Sequence, residues 1–313
     1  LEITMGILVV GSVALDSVKT PFGSRDDVLG GAATYFSIAA SYFTDVSIVG
    51  VVGEDFPEKH VTLLQKLGID LSGMERQKGN TFRWKGEYSF DMNTRTTLDT
   101  QLNVFAEFSP KLLPAHRSID YLFLANIDPD LQRSVLEQMK RPRLVGCDTM
   151  NYWIENKRAS LLKTLAMIDL LVINDAETRE LAGEPNLIKA ARRIISWGPK
   201  ILVIKRGEYG ALMFNSDSIF VIPAFPLEEV LDPTGAGDSF AGGLMGYLAA
   251  VGATDDSAIR KAIVVGTVMA SFNVMDFGPK VLADLTYPEI EDRYRQFRKI
   301  AFFEDITGKV DRV

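Results

Sequence analysis

The chain contains little cysteine and little histidine. Its 313 residues include one cysteine, Cys147, and two isolated histidines, His60 and His116. A single cysteine excludes an intramolecular disulfide and is typical of a reducing compartment, so we expect a cytoplasmic protein. The apolar run around Cys147 favours a buried residue at a strand end over a nucleophile. No Cys/His pattern of a metal site is present.

Basic charge and long apolar runs are also missing. The net charge is −7, which argues against nucleic acid as a partner because non-specific binding requires a basic surface. No apolar run is long enough to span a membrane, so we expect no membrane partner. The first apolar run, "GILVVGS" (6–12), is predicted to be a core strand rather than a signal peptide. We expect Met5 to be the natural start and Leu1–Thr4 to be an added segment.

Short apolar runs alternate with helical patterns along most of the chain. Hydrophobic residues make up 47% of the sequence, enough for a sizeable core. Strands buried on both faces are predicted at 6–12, 46–53, 119–126, 142–148, 168–175 and 200–207. Helices are predicted at 30–43, 56–67, 129–140, 176–182, 186–197 and 237–252. This alternation predicts a mostly parallel sheet covered by helices on both faces, with ligands at the carboxyl ends of its strands.

One segment, 80–108, interrupts the alternation with aromatic, basic and polar residues and has no helical period. We expect two to four antiparallel strands there, forming with 17–29 a small projecting β-sheet that serves as a lid. The main domain then comprises 1–16, 30–79 and 109–313. The exposed aromatic residues expected on the lid indicate a surface for a homodimer.

The run "DPTGAGDSFAGG" (232–243) is the strongest functional signal. Its glycines open a predicted helix, whose first backbone N–H groups have no internal acceptor and lie at the positive end of the helix dipole. Such a turn suits a phosphate group. Asp238 lies in the first helical turn, where it can cap the helix or accept a proton from an attacking hydroxyl. The sequence lacks the G-x-x-x-x-G-K-[ST] motif of P-loop proteins.

Four motifs resemble those of the ribokinase-like carbohydrate kinase family, the PfkB family. The signature of that family corresponds here to Asp232–Asp238, its glycine pair to "GGAATYFSIAA" (30–40), its Asn-x-x-Glu element to Asn174–Glu177, and a nucleotide-side turn to "KRGEYG" (205–210). The resemblance extends over nearly the whole chain. It implies a three-layer α/β/α fold, a mostly parallel central sheet and the small lid.

The resemblance implies an ATP-dependent phosphotransferase with an alcohol group as acceptor. Asp238 corresponds to the general base, and the amides of Gly235, Ala236 and Gly237 to the anion hole for the transferred phosphoryl group. Asn174 and Glu177 correspond to positions that organise Mg²⁺ through water, although the same pair reads equally as a helix capping box. The remaining implied contacts are ATP at Lys205, Arg206, Gly207, Thr267 and Gly278, and a monovalent cation, K⁺, near Asp232.

The implied substrate contacts are Asp16, whose carboxylate suits a diol, together with Gly31 and Asn126. Tyr35 departs from the asparagine usual in ribokinases, which argues against plain ribose. The expected acceptor is the primary alcohol of a sugar or sugar-like molecule. A nucleoside is the alternative, with its base between Tyr35 and the lid aromatics Phe82 and Trp84. A sugar phosphate held by Arg83, Lys85 and Arg95, and a non-catalytic pseudokinase, are less favoured.

Overall fold

Two β-sheets form the framework of the protein. The computed structural model describes residues 6–303, so Leu1–Thr4 lie outside the described residues. The large sheet has nine strands. In spatial order they are β13 (Ile219–Ile222), β12 (Ala211–Phe214), β11 (Ile201–Lys205), β10 (Leu170–Asn174), β9 (Leu144–Asp148), β8 (Tyr121–Leu124), β1 (Gly6–Val10), β4 (Asp45–Gly53) and β5 (Asp70–Gln77). All pairs are parallel except β11–β12 and β12–β13, so β12 runs opposite to the others and the carboxyl ends of eight strands lie at one edge.

Helices cover both faces of this sheet. They are α1 (Ala32–Ala40), α2 (Glu58–Lys66), α3 (Pro129–Gln138), α4 (Asn151–Asn156), α5 (Arg158–Leu165), α6 (Asp175–Ala182), α7 (Leu187–Ile195), α8 (Ala236–Val251), α9 (Asp256–Asn273), α10 (Lys280–Ala283) and α11 (Tyr287–Ile300). Alternate residues of each strand enter different cores: Ile7 packs with α1, α8, α9 and α11, whereas Leu8 packs with α3, α5, α6 and α7. This burial of both faces explains the unbroken apolar strands and confirms the three-layer fold.

The small sheet has four strands in the order β3 (Gly23–Gly30), β2 (Ala14–Thr20), β6 (Phe82–Tyr88) and β7 (Arg95–Gln101). The expected antiparallel pairing holds for β2–β3 and β6–β7, but β2 and β6 pair in parallel. The sheet begins at Ala14, three residues before the expected boundary at 17, so Asp16 belongs to it. The division into main domain and lid stays a prediction, and its outermost residues, 1–5 and 304–313, lie outside the described residues.

The turn between β6 and β7 contacts the segment that follows β11. We call the space between the small sheet and the carboxyl edge of the large sheet the cleft. Asp91 stiffens this turn, because its carboxylate accepts hydrogen bonds from Ser89 Oγ (2.7 Å), Asn93 N (3.0 Å) and Thr94 N (2.9 Å). The Asn93 amide then donates to Glu208 Oε1 at 3.1 Å, in the 3₁₀ turn Gly207–Tyr209 that follows β11. The small sheet therefore closes over the carboxyl edge of the large one.

Within residues 6–303, no helix combines the length and the hydropathy that a membrane span requires.

Candidate active site

The glycine-rich turn lies at the start of α8. Gly235 is the N-cap residue, with a φ of 75° that favours glycine, and no side chain caps the helix. The Ala236 amide donates to Pro233 O at 3.1 Å, so it is already engaged in this structure. The Gly237 and Asp238 amides occupy the next two positions of the first turn, where a helix offers no carbonyl acceptor. The turn thus presents N–H groups and a partial positive charge beside the Asp238 carboxylate.

Buried hydrogen bonds fix the shape of this turn. Asp232, only 1% exposed, accepts hydrogen bonds from Thr234 N (2.9 Å) and Gly278 N (3.2 Å). The Asn273 amide donates to Thr234 O at 2.7 Å. The Asp232 carboxylate therefore joins the turn to the segment after α9. Its role at a monovalent cation stays a prediction, because both of its oxygens serve backbone amides here.

A buried ion pair adjoins the turn. Lys205 Nζ, at the end of β11, lies 3.5 Å from Asp148 Oδ2, at the end of β9. The same ammonium group is 2.7 Å from the position that a Cβ on Gly237 would occupy, so Lys205 lies directly against the turn. Its contact with phosphate oxygens stays a prediction. Asp148 was absent from the predicted site, although an acid at the carboxyl end of a buried strand was a detectable signal.

The environment of Asp238 favours proton acceptance near neutral pH. Burial and the nearby Asp148 carboxylate raise the pKa of its carboxyl group, whereas Lys205 and Arg95 lower it. The net pKa is about 7. A group with such a pKa is well matched to general acid–base work at pH 7. Arg95, which the sequence analysis considered only for a sugar-phosphate substrate, acts on Asp238 from the small sheet.

Asn174 and Glu177 form a complete capping box on α6. Asn174 Oδ1 accepts from Glu177 N at 2.7 Å, and Glu177 Oε2 accepts from Asn174 N at 2.9 Å. Burial raises the pKa of Glu177 to about 7, followed in effect by the Asp148 charge. The capping alternative is therefore present in the structure, while the Mg²⁺ role stays a prediction.

Asp16 enters the site from β2. It is 5% exposed, and its carboxylate accepts a backbone hydrogen bond from Gly31. Burial raises the pKa of Asp16, the hydrogen bond from Gly31 lowers it, and the Asp232 and Asp238 charges raise it. The net pKa is about 7. A Cβ on Gly30 would lie 2.0 Å from Asp16 Oδ2, so the glycine pair creates the space for this carboxylate. Asp16 and Asp238 thus face the same cleft.

Tyr35 and Asn126 occupy the cleft wall in ways the sequence did not reveal. Tyr35 is 1% exposed, and its ring packs so closely on Gly235 that a Cβ there would lie 2.4 Å from ring carbons. Its buried hydroxyl has no hydrogen-bond partner within residues 6–303. Asn126 is held at both ends, by Trp153 Nε1 donating to Oδ1 (3.0 Å) and by Nδ2 donating to Met150 Sδ (3.0 Å).

The aromatic sandwich expected for a nucleobase is not formed. Tyr35 is buried in the wall, and Phe82 stacks on Phe105 with ring centroids 5.2 Å apart. The Trp84 ring covers the backbone of Gly86, where a Cβ would lie 2.1 Å from ring carbons. These three aromatic side chains therefore have other partners in the structure.

Three of the expected ATP contacts have other partners in the structure. The Arg206 guanidinium lies over the Tyr209 ring at 5.7 Å, and Gly207 contacts the Asn93 side chain of the lid turn. Thr267 is buried within α9 and donates to Ile263 O at 2.9 Å. Their contact with ATP stays a prediction.

Comparisons with known proteins identify the family of the chain. The model of the family described as pfkB family carbohydrate kinase matches residues 9–280. The chain belongs to this family. A pfkB-family kinase is a phosphotransferase that acts on an alcohol group, so the present chain is an enzyme of this type.

Relatives within the family include kinases named for nucleosides and for sugars. Cytidine kinase of Thermococcus kodakarensis is 30% identical over 250 residues, covering 78% of this chain and 88% of that protein. Ribokinase of Lactococcus lactis is 29% identical over 303 residues, covering 87% and 91%. Among solved structures, the nucleoside kinase of Methanocaldococcus jannaschii superposes with a TM-score of 0.75 at 21% identity, covering 93% and 98%. A putative ribokinase II from E. coli in complex with ATP and Mg²⁺ has a TM-score of 0.76 at 17% identity, covering 93% and 99%.

The residues of this pfkB-family site fit ATP with Mg²⁺ bound through water. The turn amides and Lys205 suit phosphate oxygens, and Asp148, Glu177 and Asp238 leave surplus negative charge that favours a cation. Within residues 6–303, no three Asp, Glu, His or Cys side chains are arranged to hold a metal ion directly. Glu177 would hold such an ion through water, and the ion would neutralise phosphate charge.

Proposed function

We propose that the protein transfers the γ-phosphate of ATP to a hydroxyl, a primary alcohol, of a sugar or sugar-like substrate. The observation that carries the proposal is the Asp238 carboxylate, with a pKa of about 7, beside the uncapped amide turn of α8. The Asp238 carboxylate takes the proton of the attacking hydroxyl, and the amides of the turn stabilise the charge of the phosphoryl group.

Asp16 and Asp238 define the place of the acceptor. Asp16 accepts hydrogen bonds from neighbouring hydroxyls of the substrate, and Asp238 takes the proton of the attacking hydroxyl. As the new O–P bond forms, the bond from the γ-phosphorus to the bridging oxygen breaks, and its electron pair leaves with ADP. The Gly235 and Gly237 amides and Lys205 stabilise the charge on the transferred group. Mg²⁺, when bound with ATP, neutralises phosphate charge.

A nucleoside kinase is the second candidate. The specific observation in its favour is the 30% identity to a protein named cytidine kinase over most of both chains. The engagement of Phe82 and Trp84 with other partners removes one argument for it. A sugar-phosphate kinase is less supported, because Arg83 is committed to Asp27 (3.2 Å) and Asp55 (2.7 Å). A pseudokinase is disfavoured by the intact turn and its acid.

A coupled ADP-release assay over sugars, nucleosides and sugar phosphates tests the proposal. We expect turnover with at least one alcohol acceptor and a loss of roughly 10²-fold or more in kcat for Asp238→Asn. Asp256→Asn is the matched control, since Asp256 lies in the first turn of α9 and forms a surface ion pair with Arg260. Equal turnover of wild type and Asp238→Asn would remove Asp238 from the mechanism.

We also propose a homodimer formed through the small sheet and a cytoplasmic location. Every residue of the edge strand β7 is exposed, including Leu98, and Phe90 in the preceding turn is 89% exposed. An unpaired strand edge with exposed apolar side chains favours pairing with another chain. Light scattering that gives a monomer mass at working concentration would contradict the dimer.

A further inference from the structure

The site described above carries more negative than positive charge. Asp16, Asp148, Glu177 and Asp238 lie around the cleft, and Lys205 is the cation contributed by the large sheet. An incoming triphosphate adds further negative charge on the side where the phosphoryl group must move. A cationic side chain of the small sheet, on the opposite side of the cleft, could therefore balance this negative charge.

Arg95, the first residue of β7, is the lid cation that faces this cleft. It lies opposite Tyr88 in the β6–β7 register, and the Tyr88 hydroxyl is 3.3 Å from Thr234 Oγ1. Thr234 immediately precedes the glycine-rich turn, so the register brings Arg95 to the phosphate end of the site. The charge of Arg95 accordingly acts on Asp16, Glu177 and Asp238.

The side chain of Trp84 holds the guanidinium of Arg95 in place. The Arg95 guanidinium lies 5.3 Å from the centroid of the Trp84 ring, a cation–π distance. Trp84 is fixed in turn, because its indole N–H donates to Thr97 Oγ1 at 3.2 Å and its ring covers Gly86. The glycine at 86 leaves the space in which the ring lies.

Three other lid cations have partners elsewhere. Arg83 pairs with Asp27 and Asp55, Lys19 pairs with Glu87 at 2.7 Å on the outer face, and Arg25 lies over Phe277 at 5.1 Å. Within residues 6–303, Arg95 forms no salt bridge; its guanidinium interacts with the Tyr88 hydroxyl, and the residue is exposed. It is therefore available to an anionic ligand.

We propose that Arg95 is a catalytic residue that contacts the transferred phosphoryl group from the lid side, opposite the amides of the Gly235–Gly237 turn, and that Trp84 positions it. This inference rests on the proposed kinase function. During transfer, the acceptor oxygen bonds to the γ-phosphorus, its proton passes to Asp238 and the bridging oxygen leaves with ADP. The guanidinium donates hydrogen bonds to the non-bridging oxygens, which carry the charge in the transition state, and forms no covalent bond.

Kinetics of Arg95→Ala, Arg95→Lys, Trp84→Phe and the control Lys19→Ala test this role. We expect Arg95→Ala to lower kcat by roughly 10²-fold or more with a smaller change in the acceptor KM. Added guanidinium should restore part of the rate of Arg95→Ala. Trp84→Phe, which keeps a ring but loses the Thr97 hydrogen bond, should lose less than Arg95→Ala. Lys19→Ala, an outer-face cation, should match wild type.

A binding measurement separates this inference from the kinase proposal. ADP with Mg²⁺ and aluminium fluoride mimics the transferred phosphoryl group, and we expect it to raise the Tm of wild type above the value with ADP and Mg²⁺ alone. Arg95→Ala should keep the ADP shift and lose the additional fluoride shift. An unchanged fluoride shift, or a rise in acceptor KM with kcat intact, overturns the role of Arg95. Absence of turnover by wild type across the acceptor panel overturns the kinase proposal itself.

Discussion

In the ligand-free protein, we expect the Asp16→Asn variant to become more stable relative to wild type as the pH rises. The folded-state pKa of Asp16 is about 7 against an ordinary value of 3.8, because the carboxyl group is buried near Asp232 and Asp238. Below pH 4 both states hold the proton, and the group has no effect. Between pH 4 and pH 7 the unfolded chain releases the proton while the folded chain keeps it, so stability falls as the pH rises. Above pH 7 Asp16 is ionised in both states, and the full destabilisation by its buried charge is present.

The magnitude follows from the pKa shift. At about 1.36 kcal/mol per pKa unit, a shift of about three units makes ionised Asp16 cost about 4 kcal/mol at pH 8 and about 2 kcal/mol at pH 5. Asparagine carries no charge and keeps an oxygen for the Gly31 amide. The free energy of unfolding of Asp16→Asn, relative to wild type, should therefore rise by about 2 to 3 kcal/mol at most between pH 5 and pH 8. Hydration of the cleft reduces this ceiling.

Urea unfolding at pH 5, 6, 7 and 8 without ligands measures the effect. Only the pH slope of the difference is informative, because a constant offset between asparagine and neutral aspartic acid cancels. Asp26→Asn, an exposed acid on the neighbouring strand β3, is the matched control and should give a flat difference. A flat or falling difference for Asp16→Asn would refute the burial argument. The variant should also lose activity, since Asp16 is the proposed diol ligand.

Two glycine substitutions test the geometry of the cleft. Gly30→Ala places a Cβ 2.0 Å from Asp16 Oδ2, so kcat/KM should fall by roughly 10-fold or more. Gly68→Ala, in open space but with positive φ, controls for lost stability and should keep full activity. Gly207→Ala places a Cβ 2.2 Å from Asn93 Oδ1 and should raise hydrogen exchange in the lid turn. Exchange unchanged from wild type in Gly207→Ala would show that this contact does not hold the lid.

Local chemistry explains what the sequence predicted well. The inner strands of the large sheet are apolar on both faces because they contribute to two cores, so their existence and type could be predicted from the chain alone. The helices after position 250 and the edge strand β5 were not predicted, since their mixed patterns give weaker signals. The parallel pairing of β2 and β6 was missed as well, because strand pairing between distant segments depends on the closed fold.

The sequence by itself determined the family, the glycine-rich turn and the acid beside it. These features are contiguous, and a turn that opens a helix needs only local residues to present its amides. The structure alone decided which distant groups surround that turn. Asp148 and Lys205 come from β9 and β11, which flank β10 in one sheet, and Arg95 comes from the other sheet. The pKa values of about 7 for Asp16, Glu177 and Asp238 arise from burial and through-space charge, which exist only after the two sheets close on one another.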